Sequence, residues 1–323
     1  MSIERALEGV RIVEVATYFP GPLCTQILLG MGAQVTKVSR PGGDPLKELR
    51  PLDATYALFN GGKEELELDL RVPEGAARLR ELALEADVLV DGLRPGALER
   101  MGLGETALRA ANPRLIYCAL SAYGSHGPES SRAGHDLDFE ALSGMVGATL
   151  ANGEPAMPGA PLTDMVSGLT AATGILAALL AREQHGQGTI LDASMAGASR
   201  WLMALWYSVE RQRPGARLLT GERAYYRLYR TADGRHLAAA TLEPHFWARF
   251  CGALERPDLV ARQFDADQEA VAHEVAAVVA QRTLAEWQRI LAPLDACVSP
   301  VLTIAEAAEA AGEISVRLPI REG

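Results

Sequence analysis

The chain has 323 residues, 48% hydrophobic and 22% charged, an ordinary globular composition with room for two domains. Its net charge of −10 argues against a nucleic-acid or membrane-surface partner, because either needs a basic face; an anionic small molecule would need a local cluster of Arg or Lys. No apolar run is expected to reach the ~18 residues of a membrane span. The start, Met1-Ser2-Ile3-Glu4-Arg5, lacks a signal-peptide pattern. Cys24, Cys118, Cys251 and Cys297 lie far apart, and no His/Cys spacing suggests a metal site. Reduced thiols in a cytoplasmic protein are the expectation.

Residues 10–15 form a β-branched run and predict a buried strand. The turn Tyr18-Phe19-Pro20-Gly21-Pro22 leads to a predicted helix over 24–31 stopped by Gly32, and residues 34–39 give the next strand. A βαβ unit with such short connections predicts a parallel sheet. The turn lacks the three glycines of a dinucleotide fingerprint, and the second strand ends in Arg40-Pro41-Gly42-Gly43 rather than in an acid. An Arg at a strand's C-terminal edge can meet a phosphate, although alone it reads first as a solvated surface residue.

The tight turn Asn60-Gly61-Gly62-Lys63 precedes a strand over 66–70. An amphipathic helix over 73–86, with Pro in its first turn, and a strand over 87–91 follow. Gly92-Leu93-Arg94-Pro95-Gly96 then opens a helix near Pro95. Arg94 is a second arginine at a strand's end, and Arg40, Lys63 and Arg94 together make a candidate polyanion site. Residues 115–120 add a strand.

The glycine-rich turn Ala122-Tyr123-Gly124-Ser125-His126-Gly127-Pro128 leads into Ala133-Gly134-His135-Asp136-Leu137-Asp138-Phe139. Pro161-Leu162-Thr163-Asp164 then opens a long apolar helix over 164–182, with Asp164 at its N-cap. One imidazole and one carboxylate stand at the mouths of two neighbouring helices. Alone, Asp164 reads as a plain cap and His135 as a first-turn residue with a structural hydrogen bond. Asp136 and Asp138 read as structural acids meeting unpaired N–H groups. His126 is expected at a ligand entrance, His185, His236 and His273 on the surface, and His245 at a helix start.

A short strand over 189–191 and a helix from 192 to about 212, with Trp201, Met203 and Trp206 in an apolar patch that reads as core or as an acyl surface, complete a first domain over 1–212. A linker carrying Pro214-Gly215 follows. The smaller α+β domain, 213–302, has a hairpin on Asp233-Gly234, helices over 243–254, 257–262, 268–281 and 284–291, and a strand over 297–302. A last helix over 304–311 belongs to a tail, 303–323, expected to return to the first domain.

Several of these segments together resemble the family III CoA-transferases and α-methylacyl-CoA racemases. They are Leu7-Glu8-Gly9-Val10-Arg11-Ile12-Val13-Glu14, Gly21-Pro22, Leu29-Gly30-Met31-Gly32-Ala33-Gln34-Val35, Arg94-Pro95-Gly96, Tyr123-Gly124 with Gly127-Pro128, Gly186-Gln187-Gly188, and Asp295-Ala296-Cys297-Val298-Ser299-Pro300-Val301. The resemblance runs from about residue 7 to about residue 302. It implies an α/β fold: an open parallel-sheet (Rossmann-like) large domain with a small α+β domain, in an interlocked homodimer. It implies an acyl-CoA thioester as ligand, with no cofactor beyond its CoA moiety. Arg40, Lys63, Arg94, Tyr123 and Gly124 fall where the family meets CoA.

The family has two chemistries. Transferases use the Asp at the position of Asp164 as a nucleophile on the thioester. Racemases use it as one base and a His as the other. Gly134-His135-Asp136 is racemase-like, as is Glu243-Pro244-His245-Phe246, whose Glu would hold the catalytic imidazole. Thr163-Asp164-Met165-Val166-Ser167-Gly168 lacks the glycine run common in racemases after the Asp, so transferase chemistry stays open beside the racemase reading. A CoA-binding scaffold without turnover is the third reading. Racemisation needs one base on each face of a planar enolate and a carboxylate to fix the imidazole's tautomer, and His135, Asp164 and Glu243 supply those groups.

Overall fold

A computed structural model describes residues 2–151 and 153–312. The strands are β1 (Arg11–Val15), β2 (Gln34–Ser39), β3 (Glu64–Glu67), β4 (Val88–Asp91), β5 (Ile116–Ser121), β6 (Leu150–Ala151), β7 (Glu154–Pro155), β8 (Ile190–Ser194), β9 (Tyr226–Arg230), β10 (His236–Ala240) and β11 (Val298–Pro300). The helices are α1 (Pro20–Gly30), α2 (Tyr56–Asn60), α3 (Pro73–Glu85), α4 (Ala97–Arg100), α5 (Glu105–Ala111), α6 (Asp136–Leu142), α7 (Met145–Ala148), α8 (Leu162–His185), α9 (Met195–Leu202), α10 (Ala204–Gln212), α11 (Pro244–Ala253), α12 (Gln268–Val279), α13 (Leu284–Leu291) and α14 (Ile304–Ala311).

The described chain divides into two compact units between Leu205 and Trp206, inside α10. The sequence expectation put that division near residue 212. The helix read over 192–212 is broken at Met203 into α9 and α10.

The first unit is built on a six-stranded parallel sheet in the order β3-β2-β1-β4-β5-β8. β1 sits at the centre, with Val13 paired to Thr36 of β2 on one side and Leu89 of β4 on the other. All six residues of β5 and all four of β4 are buried, as expected for parallel strands covered on both faces. Chain connections leave β1 and β4 in opposite directions, so a crevice opens beyond their C-terminal ends, where this strand order places ligands. α1 starts earlier than expected, at Pro20, because Pro suits the first helical position. α8 packs along α1, and a Cβ at Gly168 would come within 2.7 Å of the Pro20 carbonyl oxygen and 3.0 Å of Leu23.

α8 also corrects one expectation. Its 24 residues are long and apolar enough, by length and composition, to cross a bilayer. Ala171, Ala172, Ile175 and Leu179 bury one face of it in the core shared with Leu23, Ile27, Val88 and Ile116.

The second unit has a three-stranded antiparallel sheet, β11-β10-β9, with Leu237 opposite both Tyr229 and Pro300. The expected Asp233-Gly234 hairpin forms, with Gly234 at φ +76°. Trp247, Phe250, Val271, Val275 and Trp287 fill the core, and the Trp247 and Trp287 indole N–H groups donate to the carbonyls of Leu259 and Val279 at 2.9 Å. α14 belongs to this unit: Arg235 donates to Glu306 through two bonds of 3.0 and 2.8 Å. The expected return of the tail to the first domain therefore does not hold for this helix, and residues 313–323 lie outside the described residues.

Candidate active site

The cavity that collects the candidate chemistry lies outside the C-terminal ends of β1, β4 and β5, in the crevice defined by the strand order. Its volume is about 360 Å³. Thr17, Tyr18 and Pro20 line it from the β1 side, Gly92, Leu93, Arg94 and Pro95 from the β4 loop, and His135 and Asp164 from α6 and α8. The imidazole and the carboxylate thus face one space.

His135 is the N-cap of α6. Its backbone N–H donates to Asp138 Oδ2 at 2.9 Å, a local cap that fixes the entry of the chain into the helix. The Tyr18 ring meets the imidazole edge-on, with centroids 6.4 Å apart. Tyr18 has φ +63°, a left-handed conformation uncommon for a bulky residue. Just before His135, Gly134 leaves no room for a side chain: a Cβ there would lie 2.8 Å from the Phe139 ring and 3.1 Å from the Tyr123 hydroxyl.

Asp164 is the third residue of α8, not its N-cap, which is Pro161. The first turn of a helix leaves N–H groups without internal partners. Here α6 supplies them: Asp164 N–H donates to Asp136 Oδ1 at 3.0 Å, and Leu162 N–H donates to Glu140 Oε1 at 3.3 Å. Asp136 and Glu140 are one turn apart on α6, so both reach the same helix end. Asp136 is structural, as expected, but the helix it caps is the one bearing Asp164. Burial first, and then the carboxylates of Asp136 and Glu140, push Asp164 up to about 7. Glu140 is likewise pushed up to about 7, by burial and by Asp136.

The expected CoA contacts divide. Arg94 lines the cavity, and its guanidinium donates to the Ser131 carbonyl at 3.1 Å. Arg132, which sequence reasoning missed, lines it too; it is paired to Glu129 at 2.8 Å and lies 5.0 Å from the Tyr123 ring centroid. Arg40 lines a second cavity of about 450 Å³, together with Ser39, Leu68, Arg71 and Met101. Thr17 and Leu93 line both cavities, so the two adjoin. Among the described residues the buried Ser39 hydroxyl has no hydrogen-bond partner.

Tyr123 and Gly124 stand behind the wall rather than in it. Tyr123 packs on Phe139 at 5.3 Å and supports Arg132, and Gly124 makes a turn at φ +99° with its N–H on Ser121 Oγ.

Lys63 is a correction. Its side chain is fully buried, and its ammonium donates to Glu14 Oε2 at 2.8 Å, Pro22 O at 2.9 Å and Asn60 Oδ1 at 3.2 Å. With all three donors used, it offers nothing to a phosphate. Lys37 completes the network on Glu14 and Asp44, at 2.7 and 2.9 Å. The sequence signal was present in Glu14, a charged residue inside a buried strand, which demands a buried cation.

His126 lines neither cavity. It faces a smaller space of about 210 Å³ with Asp91, Glu99, Glu105 and Tyr117, which adjoins the first cavity at Leu93, Pro95 and Ser121. Glu243 is the N-cap of α11 in the second unit and is exposed there.

A six-stranded α/β unit with an acid and an imidazole in its switch-point crevice has the groups for acid–base chemistry on a bound small molecule. The chain belongs to CoA-transferase family III, whose profile matches residues 7–317. It is 36% identical to human α-methylacyl-CoA racemase over 310 residues, 93% of this chain and 79% of that one. It is 33% identical to a probable fatty acyl-CoA transferase of Mycobacterium tuberculosis over 316 residues, 89% of this chain and 80% of that one. The crystal structure of a CaiB/BaiF family protein from Brucella suis superposes with a TM-score of 0.85 at 25% identity, over 99% of this chain and 93% of that one. The chain is thus a member of a family of acyl-CoA racemases and CoA-transferases.

Proposed function

We propose that this chain is an isomerase that moves a proton at the 2-carbon of a 2-methylacyl-CoA thioester. The observation that carries the reading is that His135 and Asp164, from different helices, line one cavity at the sheet's switch point. The hydrogen beside a thioester carbonyl is weakly acidic, and its removal leaves a planar enolate. One base on each face can then take the proton from one side and return it to the other. A carboxylate at its ordinary value near 4 would be a poor partner for an imidazole, which ordinarily titrates near ~6.5. Asp164, at about 7, can both give and take a proton near neutral pH, as the two directions of the reaction require. Tyr18 and the His135 N-cap restrain the imidazole, and Glu243 is the carboxylate proposed to hold its other nitrogen.

The two adjoining cavities suit an elongated ligand. Arg40 would meet the nucleotide end, Arg94 and Arg132 the diphosphate, and the thioester would reach His135 and Asp164. Binding energy from the remote nucleotide anchors the reacting carbon. A homodimer is part of the reading: Leu142, Leu180, Trp201 and Leu205 of the first unit are each more than half exposed, which is costly in a lone subunit.

The second reading is a CoA-transferase with Asp164 as nucleophile. The likeness to the M. tuberculosis transferase favours it. Incubating the enzyme with a chiral 2-methylacyl-CoA in deuterated water separates the two. Deuterium at the 2-position without an acyl acceptor supports the isomerase. Acyl exchange with a free acid, and an Asp164 trapped by hydroxylamine, supports the transferase.

A further inference from the structure

Glu140 is a buried acid that the proposed reaction does not use. It has 2% of its surface exposed and does not line the cavity. Among the described residues, the elements packed on α6 bring it no compensating cation. α8 brings Asp164 and the N–H groups of Leu162 and Thr163. α7 has no titratable residue, and the only charged residue of α9, Arg200, is exposed. On its own helix Glu140 faces Asp136, to which it is hydrogen-bonded. Three carboxyl groups therefore meet at the start of α8, Glu140 buried and Asp136 and Asp164 half-buried, and Asp136 lies between the other two.

We propose that Glu140 is a positioning residue that governs the proton on Asp164 by way of Asp136. The inference rests on the reading of Asp164 as a proton carrier. A hydrogen bond between two carboxyl groups needs a proton on one of them. Burial first, and then the neighbouring Asp136, push Glu140 up to about 7, so Glu140 can hold that proton near neutral pH. When Asp164 gives its proton to the enolate, a second negative charge enters the corner. The Glu140 proton lying on Asp136 is what makes that state accessible. If Glu140 ionised as well, three like charges would meet, and Asp164 would hold its proton too firmly to pass it on. Glu140 donates no proton to substrate; it sets how readily Asp164 does so. Because the groups are coupled, Asp164 titrates over a broad range rather than in one sharp step.

The test is a carbon-13 carboxyl titration of the full chain, with the Asp164 signal assigned by its loss in Asp164→Asn. In Glu140→Gln the amide keeps the hydrogen bond to Asp136 but cannot ionise. The expected result is an Asp164 midpoint lower by at least half a pH unit and a titration narrowed to a single step. An unchanged midpoint and width in a folded Glu140→Gln protein overturns the proposal. A role confined to capping α8 would lower the melting temperature and leave the titration where it was. Should the Gln variant not fold, Glu140→Met provides a second neutral replacement with the same expected shift. The pH profile of deuterium exchange adds an activity readout: its falling limb, where Asp164 loses its proton, moves to lower pH in the variant. A parent enzyme with no exchange at any pH defeats the isomerase reading alone, because the titration still judges Glu140.

Discussion

The backbone N–H of Asp164 donates to the side chain of Asp136 at 3.0 Å, so the helix that begins at His135 caps the helix that carries Asp164. One contact thus locks the relative placement of the two groups and also places a negative charge beside Asp164. The separation of the His135 and Asp164 side chains and the proton affinity of Asp164 are set by the same pair of helices.

If two bases act on opposite faces, their removal has different consequences for the two enantiomers. In Asp164→Asn, His135 still takes the proton from the enantiomer that faces it. Deuterium enters that enantiomer with retention, while inversion falls by roughly 10²–10⁴-fold, the usual contribution of a positioned acid or base. His135→Gln gives the mirror result. Exchange and inversion are followed separately by mass spectrometry and chiral chromatography. Equal loss of exchange from both enantiomers in both variants contradicts the two-base arrangement.

Lys63 and Arg94 are expected to fail in different ways. Lys63→Met breaks a buried network and leaves Glu14 with one cation fewer, so the unfolding free energy drops by about 3–5 kcal/mol. The KM of the protein that remains folded stays near the parent's. Arg94→Ala, at an exposed side chain, leaves the melting temperature nearly unchanged and raises KM several-fold. That increase shrinks at high salt, because exposed charge contacts are screened. Denaturation curves with initial-rate kinetics at two ionic strengths check both.

Asp91 offers a stability test with a defined sign. Burial pushes its carboxyl up from 3.8 to about 6, partly offset by bonds from the Tyr117 hydroxyl at 2.6 Å and the Leu93 N–H at 3.0 Å. The folded state therefore holds the proton more tightly than the unfolded state. Its contribution is fully present below about pH 4 and is lost as pH rises through about 6. A rise of that size corresponds to about 3 kcal/mol. Relative to Asp91→Asn, the parent should gain that much between pH 7 and pH 4. A constant offset due to the altered hydrogen bonds does not affect the slope. Urea unfolding at several pH values measures it, and parallel curves refute it.

The legible parts of this chain were those whose cause is local. The continuous apolar run of β5 announces a strand buried on both faces, and Asp233-Gly234 announces its hairpin. His135 and Asp164 could be placed at the mouths of two helices because each sits beside a turn, while their pairing was read from the family resemblance. What sequence reasoning missed depends on groups distant in the chain. Lys63 looked like a phosphate ligand because its acceptor on Glu14 lies 49 residues earlier. Asp164 looked like a cap because the actual caps, Asp136 and Glu140, come from another helix. Arg132 has no pattern of its own. Its role comes from the Tyr123 ring beneath it and the Glu129 carboxylate beside it.

Gly134 provides the last test of how tightly the site is built. A methyl group at this position meets the Phe139 ring at 2.8 Å, and Phe139 is 1% exposed with no space to retreat. The backbone carrying His135 must move instead. Gly134→Ala should cost about 1–3 kcal/mol in stability, as overpacking does. A displacement of about 1 Å at the imidazole can cost on the order of 10²-fold in turnover. KM should change far less, since Arg40 and Arg94 lie on other elements. Phe139→Leu in the same chain opens room for the methyl group and should restore part of kcat, although the smaller side chain lowers stability further. A Gly134→Ala enzyme with parental kcat would mean that the His135 loop adapts freely, and that its placement is not what limits the reaction.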